Sequence, residues 1–539
     1  MIGTSLPEYI FIRLCIFLVQ YTTPLCIACL ALLAAVHGSW AAALSHRPLV
    51  MTVLLAYCVA DLLYAVFIYI PHNRRLKEDA NHPPPLTRQE RRALFQRCFD
   101  NVPDPRRYLQ MWFLGADEDE IRRDNVRDFI LWAFFDRRPG QESEEDDLEL
   151  EEYIVLVEKY LGHKLKPGRG KAEGLRLTLD EVETRYRSVV WYFLAVGVVD
   201  FASHWLLARD GFHYHAQPSS RILSVIPPRI QDLFTHRRSE SEGLSYWHRP
   251  HTATDKLPIV FFHGIGIGLY TYVPFFKQLN STIGNQSGQG QIGIIAIEIL
   301  PVSFRLTDAP LSRVEFLQRV ATILDAHGWD RFVLASHSYG TALATHMLRS
   351  ETLSDRIASV VLIDPVTILL HLPDVAYNFT RRKPREANEW QLWYFASMDP
   401  GVAHALSRHF FWKDNIVWKE ELLGVARGSP TKMDGGVDDE GVRTTARPPR
   451  KVAVCLAERD LIVDTPIIAR YLAADGDDWL TAPSLRELSV EQGRKDGGHL
   501  ITRDGIELLW FKGLDHAQAF DSKKSRDQLC SVIRRFCAE

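Results

Sequence analysis

Two long apolar runs open the chain. Leu14 to Val36 has no charged side chain and is interrupted only by Gln20, Tyr21, Thr22, Thr23 and Pro24; Val50 to Ile70 has one charge, Asp61. A helix needs about 20 residues to cross the hydrocarbon core, whereas a buried globular helix more often shows an apolar run of about 10–14. Both runs therefore predict membrane spans, and residues 1–75 read as an anchor with helices over about 14–36 and 50–70. The first run is too long for the h-region of a signal peptide, about 7–15 residues. A third stretch, Val189 to Ala208, carries Asp200 and His204 four apart, hence on one helical face. An Asp at mid-membrane costs about 2.5–3.5 kcal/mol on insertion scales. This stretch is expected to lie at the membrane surface or against the rest of the protein.

Between these runs the polar and apolar positions follow a helical period. Thr87-Arg-Gln-Glu90 has capping-box spacing ahead of a helix over Arg91 to Phe99. Glu118 to Phe135 places apolar residues at 121, 126, 129, 130, 133 and 134, a helical stripe. Leu150 to Leu161 and Leu179 to Ala208 continue the helices, and the acidic run Gln141 to Glu152 reads as a solvated loop and helix start. Residues 84–215 thus form a helical, membrane-proximal region without a chemical motif.

From about residue 257 the pattern changes to short β-branched runs separated by helical stretches. The runs are Pro258 to Phe262, Ile292 to Ile299, Arg331 to Ser336, Ala358 to Ile363, Val452 to Leu456 and Ile506 to Lys512. Fully apolar strands alternating with helices predict a parallel sheet covered on both faces, an α/β fold over 250–539. An insertion over about 367–426 is rich in aromatic residues (Trp390, Trp393, Tyr394, Phe395, Phe410, Phe411, Trp412, Trp418), and 427–450 reads as a flexible loop.

The chemistry sits at the ends of these strands. Ser336-His337-Ser338-Tyr339-Gly340 follows the strand Phe332 to Ala335 and opens the helix from Thr341. A serine on a tight strand-to-helix turn is lifted off the sheet, and the helix N-terminus supplies positive potential for a developing oxyanion. Upstream, a strand ends in His263-Gly264-Ile265-Gly266, which lets backbone N–H groups face a substrate oxygen; Ile265 and Tyr339 are the expected donors, with His263, Gly264 and Gly340 in support. Gly264-x-Gly266-x-Gly268 lacks the Gly-x-Gly-x-x-Gly spacing of a dinucleotide loop. His516, just past the last strand, is the expected base, ahead of His499, which precedes that strand. Asp460, three residues beyond the penultimate strand, is the expected acid; Asp364, closing the strand before, is the alternative and Glu458 a more distant one. The order Ser338, Asp460, His516 puts each group at the strand edge where open parallel sheets gather ligands.

On these residues the stretch 257–530 resembles the α/β-hydrolase superfamily, and the whole chain resembles fungal membrane-associated hydrolases of the serine esterase or lipase kind. Ser336 stands where the superfamily's elbow usually has Gly. The resemblance implies hydrolysis of an ester, thioester or amide through an acyl-enzyme at Ser338, with a cap over the site; the triad, the aromatic residues of that cap and the anchor point to lipid or apolar metabolite esters. An acyltransferase or biosynthetic tailoring enzyme, or an inactive membrane scaffold, are the competing expectations.

Composition narrows the partners. A formal charge of −4 argues against nucleic-acid binding. Cys15, Cys26, Cys29 and Cys58 fall in the two apolar runs, and the other four cysteines show no CxxC pair or zinc-ligand spacing, so no metal, cofactor or disulfide framework is expected. Arg47 stands alone between the two runs, while Arg74, Arg75, Lys77, Arg88, Arg91 and Arg92 follow the second. That asymmetry expects a cytosolic catalytic part, on the endoplasmic reticulum or a lipid droplet. Sequons at Asn280, Asn285 and Asn378, or a span at Val189 to Ala208, would place it in the lumen.

Overall fold

The computed structural model describes residues 2–37, 48–281, 290–425, 450–474, 479–481 and 498–538. Except for Arg450, the loop expected over 427–450 lies outside them.

Nine strands form one sheet. They are β1 (His213–His215), β2 (Tyr246–Arg249), β3 (Ile259–Phe262), β4 (Ile294–Ile297), β5 (Phe332–His337), β6 (Ile357–Ile363), β7 (Lys451–Ala457), β8 (His499–Ile501) and β9 (Ile506–Phe511). Their order is β1-β2-β4-β3-β5-β6-β7-β9-β8. The six inner strands run parallel; β1 and β2 at one edge and β8 at the other are antiparallel. Successive side chains on a strand point to opposite faces, and β3 shows the result. Val260 and Phe262 join a core with Phe129, Leu334 and Val452, while Ile259 and Phe261 join another with Phe275, Val333 and Phe536. Both faces are therefore covered, the layered α/β architecture expected of six unbroken apolar strands.

Three helices, Leu6–Val36, Leu49–Arg75 and Trp191–Arg209, are long and apolar enough to cross a membrane. Asp61, fully buried in the second, accepts from the Thr23 hydroxyl of the first and from the Val189 amide at 2.9 Å, at the start of the third. A carboxylate in an apolar helix is thus satisfied by a neighbouring helix and by a free helix-start N–H. Asp200 on the third helix pairs with Arg229 at 3.4 Å and Arg305 at 2.8 Å, so that face docks on the α/β body. Leu194, Val198, Phe201 and Trp205, spaced for the opposite face, are exposed.

The helix expected after Thr87 spans Arg88–Asp100 with the capping box formed. The stripe over 118–135 becomes a short 3₁₀ turn, Glu118–Glu120, and a helix, Arg123–Phe135. The acidic run starts the helix Glu144–Leu161, but Glu149 is buried against Arg91 at 2.5 Å rather than solvated. Residues 179–188 are not helical. The Arg185 amide donates to Met398 O, and the buried Arg187 guanidinium donates to the carbonyls of Tyr394 and Met398. Those ties to the insertion outweigh local helix propensity.

The helices of 88–161 do not stand apart from the sheet. Phe95, Trp112, Phe129, Trp132 and Ile154 belong to the same core cluster as the inner strands and the insertion. The described part of the insertion folds as five short α-helices, Pro373–Thr380, Ala387–Gln391, Pro400–Arg408, Trp412–Asn415 and Lys419–Leu423, with a π-helical segment, Leu392–Ser397, continuing the second. Its aromatic residues divide. Phe410, Phe411 and Trp412 face the site, while Tyr394, Trp390, Trp393 and Phe395 pack with Ile12 and Ile16 of the first apolar helix, and Trp418 lies under Arg97.

Candidate active site

β5 ends at His337, and the helix Gly340–Leu348 begins three residues later. Ser338 sits between them at φ 51°, in the left-handed region that a non-glycine residue occupies only when its surroundings hold it. The Ser338 amide donates to Ile363 O at 3.0 Å, tying the turn to β6. Gly340 has no room for a side chain: a Cβ there would stand 2.5 Å from Phe262 O and 2.8 Å from His263 O. Ser336 remains in the β5 ladder, paired with Phe262 and Leu362, so serine in place of glycine leaves the strand intact.

Gly340→Ala is accordingly expected to displace the turn. A misplacement of about 1 Å at a reacting group costs about 10²-fold in rate. Steady-state turnover of a soluble ester by folded protein checks this, and an unchanged kcat would mean that the turn tolerates the methyl.

His516 Nε2 lies 2.8 Å from Ser338 Oγ, and His516 Nδ1 lies 2.7 Å from Asp460 Oδ2. Asp460 Oδ1 accepts from the Ile462 and Val463 amides at 2.8 and 3.0 Å, which leaves Oδ2 for the imidazole. The Asp460 carboxylate is fully buried. Burial acts to lower the pKa of His516, but Asp460, with smaller contributions from Asp364 and Asp515, outweighs it and pushes the pKa up to about 9.

The other candidates fall elsewhere. Asp364 is close, but its Oδ2 accepts from the Ala517 amide at 2.8 Å and its Oδ1 from the Ala457 amide at 3.2 Å. It braces the loop beside His516 and makes no hydrogen bond to the ring. Glu458 accepts from the Gly513 amide at 2.7 Å, and His499 faces Glu507 at 3.0 Å on the edge strand β8.

Ile265 and Tyr339 flank Ser338, and neither amide has an acceptor among the described residues. Two supports set the loop that carries Ile265. His263 Nε2 accepts from the Ile299 amide at 2.8 Å, so its Nδ1 holds the proton and donates to Gly264 O at 2.7 Å. Burial keeps this ring neutral by lowering its pKa to about 4. The Gly264 amide donates to Tyr272 Oη at 3.0 Å, and that hydroxyl lies 2.7 Å from His337 Nδ1. His337 Nε2 in turn faces Asp364 Oδ2 at 3.7 Å.

Sequence reasoning missed Tyr272, His337 and Asp515. Asp515 Oδ1 accepts from the His516 and Leu461 amides at 2.7 and 2.9 Å, and its Oδ2 accepts from Asn388 Nδ2 of the insertion at 2.8 Å. One carboxylate thus joins the loops of His516 and Asp460 to the cap. His337 stood inside the elbow motif and Asp515 beside the expected base, the only signals the sequence offered.

Ser338, Ile265 and Tyr339 open on a cavity with almost wholly apolar walls. Val366, Leu370, Phe379, Phe410 and Trp412 come from the insertion and its approach, and Trp112 and Trp132 from the helical region that showed no motif. Away from these, Lys413 and Asp136 also line it, paired at 2.5 Å. The geometry can hold an apolar acyl chain beside a hydroxyl with a base in contact.

Residues 259–509 match the model of the Alpha/beta hydrolase family. No curated protein matches the chain. Solved structures similar in outline include a membrane phospholipase A described as a bacterial virulence factor (12% identity, covering 64% of this chain and 94% of that one, TM-score 0.33). A putative lipase from Acinetobacter baumannii AYE (9%, 63% and 96%, 0.35) and naproxen esterase from Bacillus subtilis (12%, 63% and 98%, 0.35) are others. By the matched family model, the sheet order and the strand–serine–helix turn, the stretch 259–509 has the α/β-hydrolase fold.

Proposed function

We propose that this protein is a membrane-anchored serine hydrolase that cleaves carboxyl esters of lipids or other apolar metabolites through an acyl-enzyme. The observation that carries the reading is the continuous line from Asp460 through His516 to Ser338, at 2.7 and 2.8 Å, opening on an apolar cavity. Ser338 Oγ attacks the ester carbonyl as His516 Nε2 takes its proton. The oxyanion forms toward the Ile265 and Tyr339 amides. His516 then returns the proton to the leaving alcohol, and water repeats the sequence in reverse on the acyl-Ser338. Asp460 holds the imidazole tautomer and stabilises the imidazolium.

The membrane part of the reading is supported by the two N-terminal helices and by the exposed Leu194, Val198, Phe201 and Trp205 beside them. Lying on the bilayer, the third helix would set the domain against the surface that holds its substrate. The basic residues after the hairpin favour the cytosolic face of an internal membrane or a lipid droplet. The reading agrees with the resemblance of the sequence to fungal membrane-associated hydrolases.

The test is treatment of the full chain in lipid vesicles with a fluorophosphonate, followed by peptide mass mapping. An adduct on Ser338 is expected; folded protein that stays unlabelled there would reject the reading. Product analysis with an added alcohol separates hydrolysis from acyl transfer, which uses the same acyl-enzyme.

A further inference from the structure

Five of the protein's histidines gather far from Ser338, at the β1–β2 edge of the sheet. Residues directly opposite in an antiparallel pair share a face, and so do residues two apart on one strand. The register His213↔His248 and His215↔Tyr246 therefore puts His213, His215, Tyr246 and His248 on the same face. The helix Arg313–Ala326 ends over that face and delivers His327. The ring centroids of His248 and His327 lie 3.9 Å apart, those of His215 and His327 5.5 Å. His251 stands nearby against Trp329.

One ring nitrogen from each of His215, His248 and His327 lies within 4.8 Å of the other two. Tyr246 Oη is 2.9 Å from both His215 Nδ1 and His327 Nε2, and it hydrogen-bonds Glu240. Glu240 Oε1 is itself 3.5 Å from His215 Nδ1. His215 is buried, and its Nε2 has no hydrogen-bond partner among the described residues. Three imidazoles, a carboxylate and an orphaned buried nitrogen at one point exceed what packing alone requires, because a buried polar atom without a partner is costly. None of these residues lines the Ser338 cavity.

We propose that His215, His248 and His327 bind a divalent transition metal ion of the zinc type, with Glu240 and Tyr246 in the layer beyond the ligands. Imidazole nitrogens suit zinc, which takes four ligands at about 2.0–2.1 Å. Ligation at that distance requires the rings to turn about their side-chain bonds and draw their nitrogens together. Tyr246 acts one layer out, its hydroxyl orienting two of the rings, as hydrogen bonds to the second nitrogen of a ligating histidine commonly do. The ion would pin β1, β2 and the end of the Arg313–Ala326 helix together at a sheet edge where strands are only three and four residues long.

The sequence expectation of no metal rested on cysteine pairs and local ligand spacing. These ligands come from three separate elements, and only the strand register reveals them.

The test uses the full chain in detergent, stripped with a chelator and titrated with zinc chloride alone. Elemental analysis after gel filtration is expected to find about one zinc per chain, the stoichiometry of a single structural site. His248→Gln/His327→Gln should retain none while still labelling at Ser338 with a fluorophosphonate, which reports its fold. His516→Ala should keep its zinc, which separates this site from the Asp364–Asp460–His516 group. Zinc absent from the unaltered chain, kept in full by the double variant, or lost by His516→Ala would overturn the proposal. If the double variant fails to label, His327→Gln alone decides: affinity should fall by at least about 100-fold, the upper range seen for changes one layer beyond a ligand. Unchanged affinity there overturns it equally.

Discussion

Ser338→Ala is expected to lower kcat for ester hydrolysis by about 10⁶-fold, the loss seen when a triad nucleophile is removed. The change deletes a single oxygen from a buried side chain at the elbow. Nothing around it needs to move, because φ 51° at this position is fixed by the Ser338 amide to Ile363 O and by the helix behind it. The thermal midpoint should therefore stay near that of the unaltered protein. Residual turnover from binding and the free amides alone, about 10³–10⁴ over water, is the expected floor. Hydrolysis within ten-fold of the unaltered chain, measured on folded protein, would remove Ser338 from the mechanism.

Asp460→Asn is expected to cost about 10⁴-fold, the loss that follows when the acid of a comparable triad becomes an amide. The amide can donate where the carboxylate accepted, so the ring is held in the wrong tautomer. The pH dependence carries a second signature. In the proposed mechanism His516 must be neutral to accept the Ser338 proton, and Asp460 raises the pKa of its ring. Activity of the unaltered protein should consequently rise with pH, its acid limb centred above the ordinary histidine value near 6.5 and toward about 9. Without the Asp460 charge, burial acts with less opposition and the limb should move to lower pH. A profile of kcat/KM against pH for both proteins checks the direction. Asp364→Asn should lose far less, since Asp364 binds backbone amides rather than the ring. The reverse ranking of the two variants would exchange their roles.

Position carried most of what could be read beforehand. The six inner strands are mostly apolar runs, so each declared itself within a residue or two of its observed ends. Ser338, Asp460 and His516 each follow the end of such a strand, and the rule that ligands gather at that edge joined them across nearly the whole domain. The strands β1, β2 and β8 escaped notice because three or four residues at a sheet edge, rich in His and Trp, show no period that differs from a loop. Tyr272 and Asp515 escaped for another reason. Their work is done by hydrogen bonds to groups on other loops, and one Tyr or Asp in a sequence carries no trace of those partners. Trp112 and Trp132 sit in helices whose aromatic stripe reads equally as ordinary core. Their place in the wall of the Ser338 cavity depends on how the whole region docks. The bend of residues 179–188 away from helix was hidden likewise, since Arg187 finds its acceptors in the insertion more than two hundred residues later.

The first apolar helix also packs against the insertion. Its Arg13 stacks on the Trp390 ring at 3.8 Å, and the Ile2 amide beside it donates to Gln391, so the short cap helix Ala387–Gln391 rests on it. That same cap helix carries Asn388, whose amide grips Asp515 one residue from the imidazole. A truncation made to obtain a convenient soluble form would strip the backing from this helix and bare Tyr394 and Ala387. Whatever such a fragment did in the test tube, it would report on a machine with one of its struts sawn off.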